Sequence, residues 1–282
     1  MIKLKNSEMK FFVFGGGLGN QLFQYSYYSY LKKKNPSEIF FGVYPNSQMA
    51  HNGIEIDKWF DISLPSTSFL SDKLGIFLYR VNRFLYYRKC PLLFCNRTYP
   101  QSTEHFFQWG NWQNYSIVKQ VEPFKFRPDL FLGEENKQIL EKMKMCNSVS
   151  VHVRRGDYLN PNLKHLYGGI CTQEYYQKAM AIVLEKVEHP VFFFFSDDAL
   201  YIEKEFADIK NKVIVSHNKK DRSFFDLYLM AHTQHMILAN STFSCWAAYL
   251  NKTAKIIITP DRWMNNHSKL EALPDEWIKI HV

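Results

Sequence analysis

From 148 to 154 the chain alternates, with Val149, Val151 and Val153 on one side of an extended backbone and Ser150, His152 and Arg154 on the other. Residues two apart share a face, so this stretch predicts a strand with one apolar and one polar side. Apolar runs without alternation at 11–14, 191–195, 213–215, 236–239 and 256–258 suit strands buried on both faces. Helical spacing lies between them. Tyr176, Met180, Val183 and Val187 mark a helix over 173–187, and the glycines at 15–19 turn the chain into a helix reaching about residue 33. A short helix runs to about residue 207, Asp226 lies on another over 226–231, and Asn240-Ser241-Thr242 caps a third over 243–250. A strand falls near 39–43, and Ile54 and Ile56 suggest a further strand or its approach. Strands and helices alternating in this way predict a doubly wound parallel sheet with 256–258 as its last strand. Pro123, Pro128 and Gly133 punctuate an aperiodic stretch, which divides the chain into domains 1–133 and 134–282.

In a parallel sheet the strand carboxyl ends emerge along one edge, where α/β proteins bind ligands. Arg154, Arg155 and Asp157 follow one strand, Asp197 and Asp198 the next, and Asn240, Ser241 and Thr242 a third. Each cluster has an ordinary reading as a surface ion pair, a loop or a helix cap. Together on one edge they fit a nucleotide: arginines grip phosphate through paired hydrogen bonds, a helix start offers hydroxyls and N–H groups, and carboxylates accept from the nucleoside. The glycine turn does not complete a dinucleotide fingerprint, because Asn20 stands where the third glycine belongs and no acidic residue ends the strand near 39–43. Nicotinamide and flavin are therefore not expected. Four aromatics surround Gly110 between 106 and 113, and Trp109 and Trp112 suit either a core or a sugar-stacking surface.

The formal charge of +8 favours an acidic partner. Between 70 and 94, Lys73, Arg80, Arg83, Arg88 and Lys89 interleave with Leu74, Phe77, Leu78, Val81, Phe84 and Leu85. This basic amphipathic pattern fits a domain helix with its stripe on the core, and it also fits a helix resting on the inner membrane. No RNA-binding motif accompanies it, so nucleic acid is not an expected partner. Five scattered cysteines make no disulfide framework, and the apolar run at 11–14 is shorter than the ~7–15 residues of a signal-peptide core. A cytoplasmic protein, with or without peripheral contact to the membrane face, is expected.

GGGLGNQLFQY at 15–25, HVRRGDY at 152–158, FFFSDD at 193–198 and ANSTFSCWAAYL at 239–250 resemble, in this order, the bacterial α-1,2-fucosyltransferases of glycosyltransferase family 11. The resemblance implies an α/β, GT-B-like fold of two Rossmann-like domains with the donor site in the cleft. It implies that GDP-fucose is the donor substrate, with no cofactor; no Asp-x-Asp occurs in the sequence, so no metal-bridged diphosphate is expected and arginine would replace the metal. The acceptor would be the 2-hydroxyl of a terminal galactose in a glycan, free or lipid-linked, as in O-antigen or oligosaccharide biosynthesis. Family roles carried onto matching residues put the diphosphate on Arg155, with Arg154, Asn240, Ser241, Thr242 and Ser244 in support. His152, Asp197, Asp198 and Asp226 would lie toward the nucleoside, and Asn20 near the reacting centre. Asp157 is the first candidate for the catalytic base and His51 the second; His51, Trp112 and Gln113 would lie on the acceptor side.

Overall fold

The computed structural model describes residues 9–45, 52–95, 97, 99, 101–266 and 271–282. The chain divides into two compact units, Met1–Pro128 and Asp129–Val282.

The first unit runs β1 (Met9–Val13), α1 (Leu18–Lys34), β2 (Ile39–Val43), α2 (Ile56–Trp59), α3 (Phe69–Tyr87), β3 (Phe107–Gln108) and α4 (Tyr115–Val118). Its sheet is parallel throughout, ordered β2-β1-β3, so β1 is central, with β2 on one side and β3 on the other. Phe12, Phe14, Phe23 and Tyr27 are completely buried around β1 and α1. The Ile54–Ile56 alternation does not make a strand: two turns of the pattern are too few, and the chain instead coils into the four-residue α2. Strand β3 is only two residues long, and its pairing with Phe11 and Phe12, rather than any local pattern, makes it a strand.

The second unit continues with α5 (Glu134–Lys144), β4 (Asn147–Val153), α6 (Pro161–Tyr167), α7 (Gln173–Lys186), β5 (Pro190–Ser196), α8 (Ala199–Glu205), β6 (Lys212–Val215), α9 (Phe224–Met230), β7 (His235–Ile237), α10 (Thr242–Leu250), β8 (Ile256–Pro260) and β9 (Ile278–Ile280). All six strands are parallel in the order β6-β5-β4-β7-β8-β9. The series therefore does not end at 256–258, since β9 pairs beyond it.

Strand β4 departs from the expected half-exposed strand. Val149, Val151 and Val153 pack with Tyr175, Met180 and Val183 of α7 on one face. Ser148, Ser150 and His152 on the other face are buried as well. The serines tolerate this because Ser148 Oγ accepts from the Gln234 backbone (3.2 Å) and Ser150 Oγ from Thr233 (3.1 Å). Polar residues on this strand stitch it to the chain entering β7.

Candidate functional site

The strand order of the second unit reverses direction at β4, which has β5 on one side and β7 on the other. A crevice opens at such a switch point, outside the strand carboxyl ends. Arg154 and Arg155 follow β4, Asp197 and Asp198 follow β5, and Asn240 to Thr242 follow β7, so the three clusters are neighbours along this edge.

The carboxylates sit on the arginines. Arg154 Nη1 lies 3.2 Å from Asp197 Oδ2, and Arg155 Nε donates to Asp198 Oδ2 at 3.0 Å. Asp197 Oδ1 also accepts from the Arg155 backbone N–H (3.1 Å), and its approach depends on Gly156. A Cβ at Gly156 would stand 2.3 Å from Asp197 Oδ2. Asp198 caps α8 by accepting from Tyr201 N–H at 3.0 Å. That backbone bond, then the Arg155 guanidinium, holds its carboxyl below the usual carboxylate range. The Arg155 guanidinium also lies 3.6 Å from the centre of the Tyr201 ring. With Nε committed to Asp198, its two terminal nitrogens make no hydrogen bond among the described residues. Arg155 is thus a fork held from behind by a carboxylate and from below by a ring.

His152 is 6% exposed, and its Nδ1 is buried without a hydrogen-bond partner among the described residues. Burial, then the neighbouring Arg154 charge, pushes its pKa down to about 3, so the ring is neutral at physiological pH. An orphaned polar atom here fits a site that is completed by a ligand. Asp157 belongs to the turn Gly156–Leu159, but its side chain lies outside the described residues.

After β7, Asn240 braces its surroundings: its Nδ2 donates to the Tyr167 and Trp263 carbonyls at 3.2 and 3.1 Å. Ser241 caps α10 by accepting from Phe243 N–H (3.3 Å), and Thr242 is the first helical residue. The Ser244 hydroxyl is buried on the Ala239 and Ser241 carbonyls. What this segment can offer an anion is chiefly the start of α10.

Asp226 anchors a cluster that the sequence did not suggest. Asn218 Nδ2 donates to Asp226 Oδ1 (2.9 Å) and to Asn136 Oδ1 (2.8 Å), and His217 Nε2 reaches the same amide oxygen at 2.8 Å. Burial pushes the Asp226 carboxyl up to about 7, opposed by the Asn218 hydrogen bond. The group therefore changes charge near neutrality.

In the first unit, amides knit the carboxyl edge of the sheet. Gln21 donates to the Gly16 and Gly53 carbonyls (both 2.7 Å) and accepts from Glu55 N–H (3.0 Å). Gln24 accepts from Gly15 N–H (2.9 Å) and donates to the Gly110 carbonyl (3.3 Å). Gln113 donates to Asn20 Oδ1 at 2.9 Å. The turns after β1 and β3 and the turn near Gly53 thus form one assembly. Gly16, at φ +79°, needs the freedom of glycine. Trp112 is only 5% exposed and stacks on Tyr27 at 4.4 Å, which makes it a core residue rather than an open sugar platform. His51 lies outside the described residues.

The chain is similar to known proteins along most of its length. An α-1,2-colitosyltransferase of Escherichia coli is 29% identical over 269 residues, covering 88% of this chain and 90% of its own. The O-antigen biosynthesis glycosyltransferase WbnK of Escherichia coli is 27% identical, with coverage of 90% and 95%. Among solved structures, fucosyltransferase NodZ from Bradyrhizobium shares the fold at a TM-score of 0.51 and 14% identity, with coverage of 90% and 95%. The family profile described as Glycosyl transferase family 11 matches residues 14–281, and the chain belongs to that family.

Proposed function

We propose that this glycosyltransferase moves L-fucose from GDP-fucose to the 2-hydroxyl of a terminal galactose, with inversion and without a metal. The supporting observation is the switch-point edge, where the Arg155 fork, Arg154 and the start of α10 converge. As the sugar–phosphate bond breaks, the sugar gains oxocarbenium character and the departing diphosphate gains negative charge. Fixed donors aimed at that growing charge stabilise the transition state more than the ground state. In this reading Asp197 and Asp198 act on the arginines, not on the nucleoside: they hold the guanidinium groups ready. The neutral His152 and the Asp226 cluster would meet the nucleoside, with Asp226 accepting from base N–H groups. The acceptor hydroxyl must lose a proton, and Asp157 is the first candidate to receive it, His51 the second. Asn20, fixed by Gln113, is the first unit's candidate for contact with a sugar.

A second reading has a specific support, since one relative is a colitosyltransferase. Incubation with GDP-fucose, GDP-colitose or GDP-mannose, galactose-terminated oligosaccharides and excess EDTA, followed by mass spectrometry, tests both. A fucosylated product formed undiminished in EDTA is expected. Preference for GDP-colitose would move the assignment to the second reading, and loss of turnover restored by Mg²⁺ would overturn the metal-free scheme.

A further inference from the structure

Helix α3 buries little of its apolar content: Leu78 enters the core with Ile76 and Tyr79 packed beside it, but most of its large apolar side chains are exposed. It starts from a reciprocal cap, with Ser71 N–H donating to Ser68 Oγ and Ser68 N–H to Ser71 Oγ (3.3 and 2.7 Å), so its register is fixed. The residues it buries are Ser71, Gly75, Leu78 and Asn82, one stripe at helical spacing. Gly75 lies so close to Val43 that a Cβ would stand 2.6 Å from that side chain. Asn82 spends its amide on the Leu78 and Leu93 backbones. A helix that served only the core would turn its large apolar side chains inward. Here Phe69, Leu70, Leu74, Phe77, Phe84 and Tyr87 point outward, with exposures between 47% and 77%.

This is not scattered surface decoration, because among the described residues nine of the sixteen exposed large apolar side chains fall between 69 and 94. Cations rim the same face. Lys73 lies 4.1 Å over the Phe69 ring and Arg88 4.9 Å over that of Phe84, with exposed Arg80 and Arg83 between them. From 69 to 97 the chain carries six Lys and Arg against Asp72 alone. Two copies joined through this face would bring like charges together across a two-fold axis, which opposes self-association. A bilayer with anionic headgroups satisfies both features at once: rings and leucines enter the acyl boundary while the cations meet phosphates. No helix among the described residues is long and apolar enough to cross a membrane, so α3 would lie along the surface.

We propose that the outer face of α3 docks on an anionic lipid surface. Binding does not depend on the donor sugar, so it can be tested apart from activity. The test is vesicle flotation of the full chain with phosphatidylcholine alone or mixed with phosphatidylglycerol, alongside sedimentation velocity without lipid. The chain should float only with the mixed vesicles and should detach at high salt. Arg80→Gln with Arg83→Gln should weaken binding by about 30-fold, from roughly 1 kcal/mol per cation, and Phe77→Ser with Leu70→Ser should abolish it. All four positions are exposed, so turnover on a soluble acceptor should persist. Equal flotation with neutral vesicles, no flotation at low salt, or variants that float as the parent does would overturn the proposal. So would a lipid-free dimer dispersed by the Phe77 and Leu70 changes.

Discussion

The two units place different chemistry on the same part of the same kind of sheet. In the first, the carboxyl edge is built on amides: Gln21, Gln24, Asn20 and Gln113 bind backbone or one another and weld three turns into a fixed shape. In the second, the edge is charged, and arginines are propped by carboxylates with the Arg155 fork turned to no described protein partner. Amide networks in a buried setting supply rigidity, because every donor has its acceptor. Propped guanidinium groups supply affinity for charge. Under the proposed function, the charged edge would take the nucleoside diphosphate.

Substitutions that swap these characters should separate the two edges. The largest effect is expected for Arg155. Lys keeps the charge but loses the paired geometry, so Arg155→Lys should lower turnover by about 10²- to 10³-fold while GDP binding falls less. Steady-state kinetics and calorimetry on folded protein measure both; near-normal turnover would remove Arg155 from the mechanism. Gln21→Ala should act oppositely, leaving Gly16 and Gly53 carbonyls and the Glu55 N–H without their partner. A loss of about 3 kcal/mol in stability is expected, read from denaturant unfolding, with GDP affinity unchanged.

The smallest effect concerns pH. Asp226 titrates near 7 in the ligand-free fold, and a carboxylate that accepts base N–H groups must be ionised to do so. GDP affinity should therefore rise about tenfold from about pH 6 to pH 8, and Asp226→Asn should flatten the profile. The stability of the ligand-free protein should move the other way. The folded pKa lies above the unfolded value of ~3.9, so the contribution is full below that value and disappears as pH rises through about 7. A GDP affinity that is constant with pH would separate Asp226 from the base.

Strands with unbroken apolar runs were legible because burial on two faces leaves a strong local pattern, and the 148–154 strand was legible by its alternation; the carboxyl ends of these strands named Arg154, Arg155, Asp197, Asp198 and Asn240 together. Topology then made those ends neighbours. Legibility failed where structure is imposed from a distance. Strands β3 and β9 are two and three residues long and exist through their partners. The Asn136–His217–Asn218–Asp226 cluster joins residues 82 apart with no common motif. Nor could periodicity reveal which side of α3 is covered, because Gly75 and Asn82 carry no apolar signal. Asp197 and Asp198 were visible as candidates, but their role on the arginines required coordinates.

The order of strands also sets how much chain each contact at this edge must close. Arg154 meets Asp197 across 43 residues of chain, whereas Ser148 meets Gln234 across 86. Each doubling of a closed loop adds only about 0.6 kcal/mol of entropy, yet contacts of greater sequence separation form more slowly. The contacts that prop the arginines need only β4 and β5, and they close half the length of chain that joins β4 to β7. The start of α10, which follows β7, depends on the longer closure, so the charged edge is assembled from contacts of two different ranges.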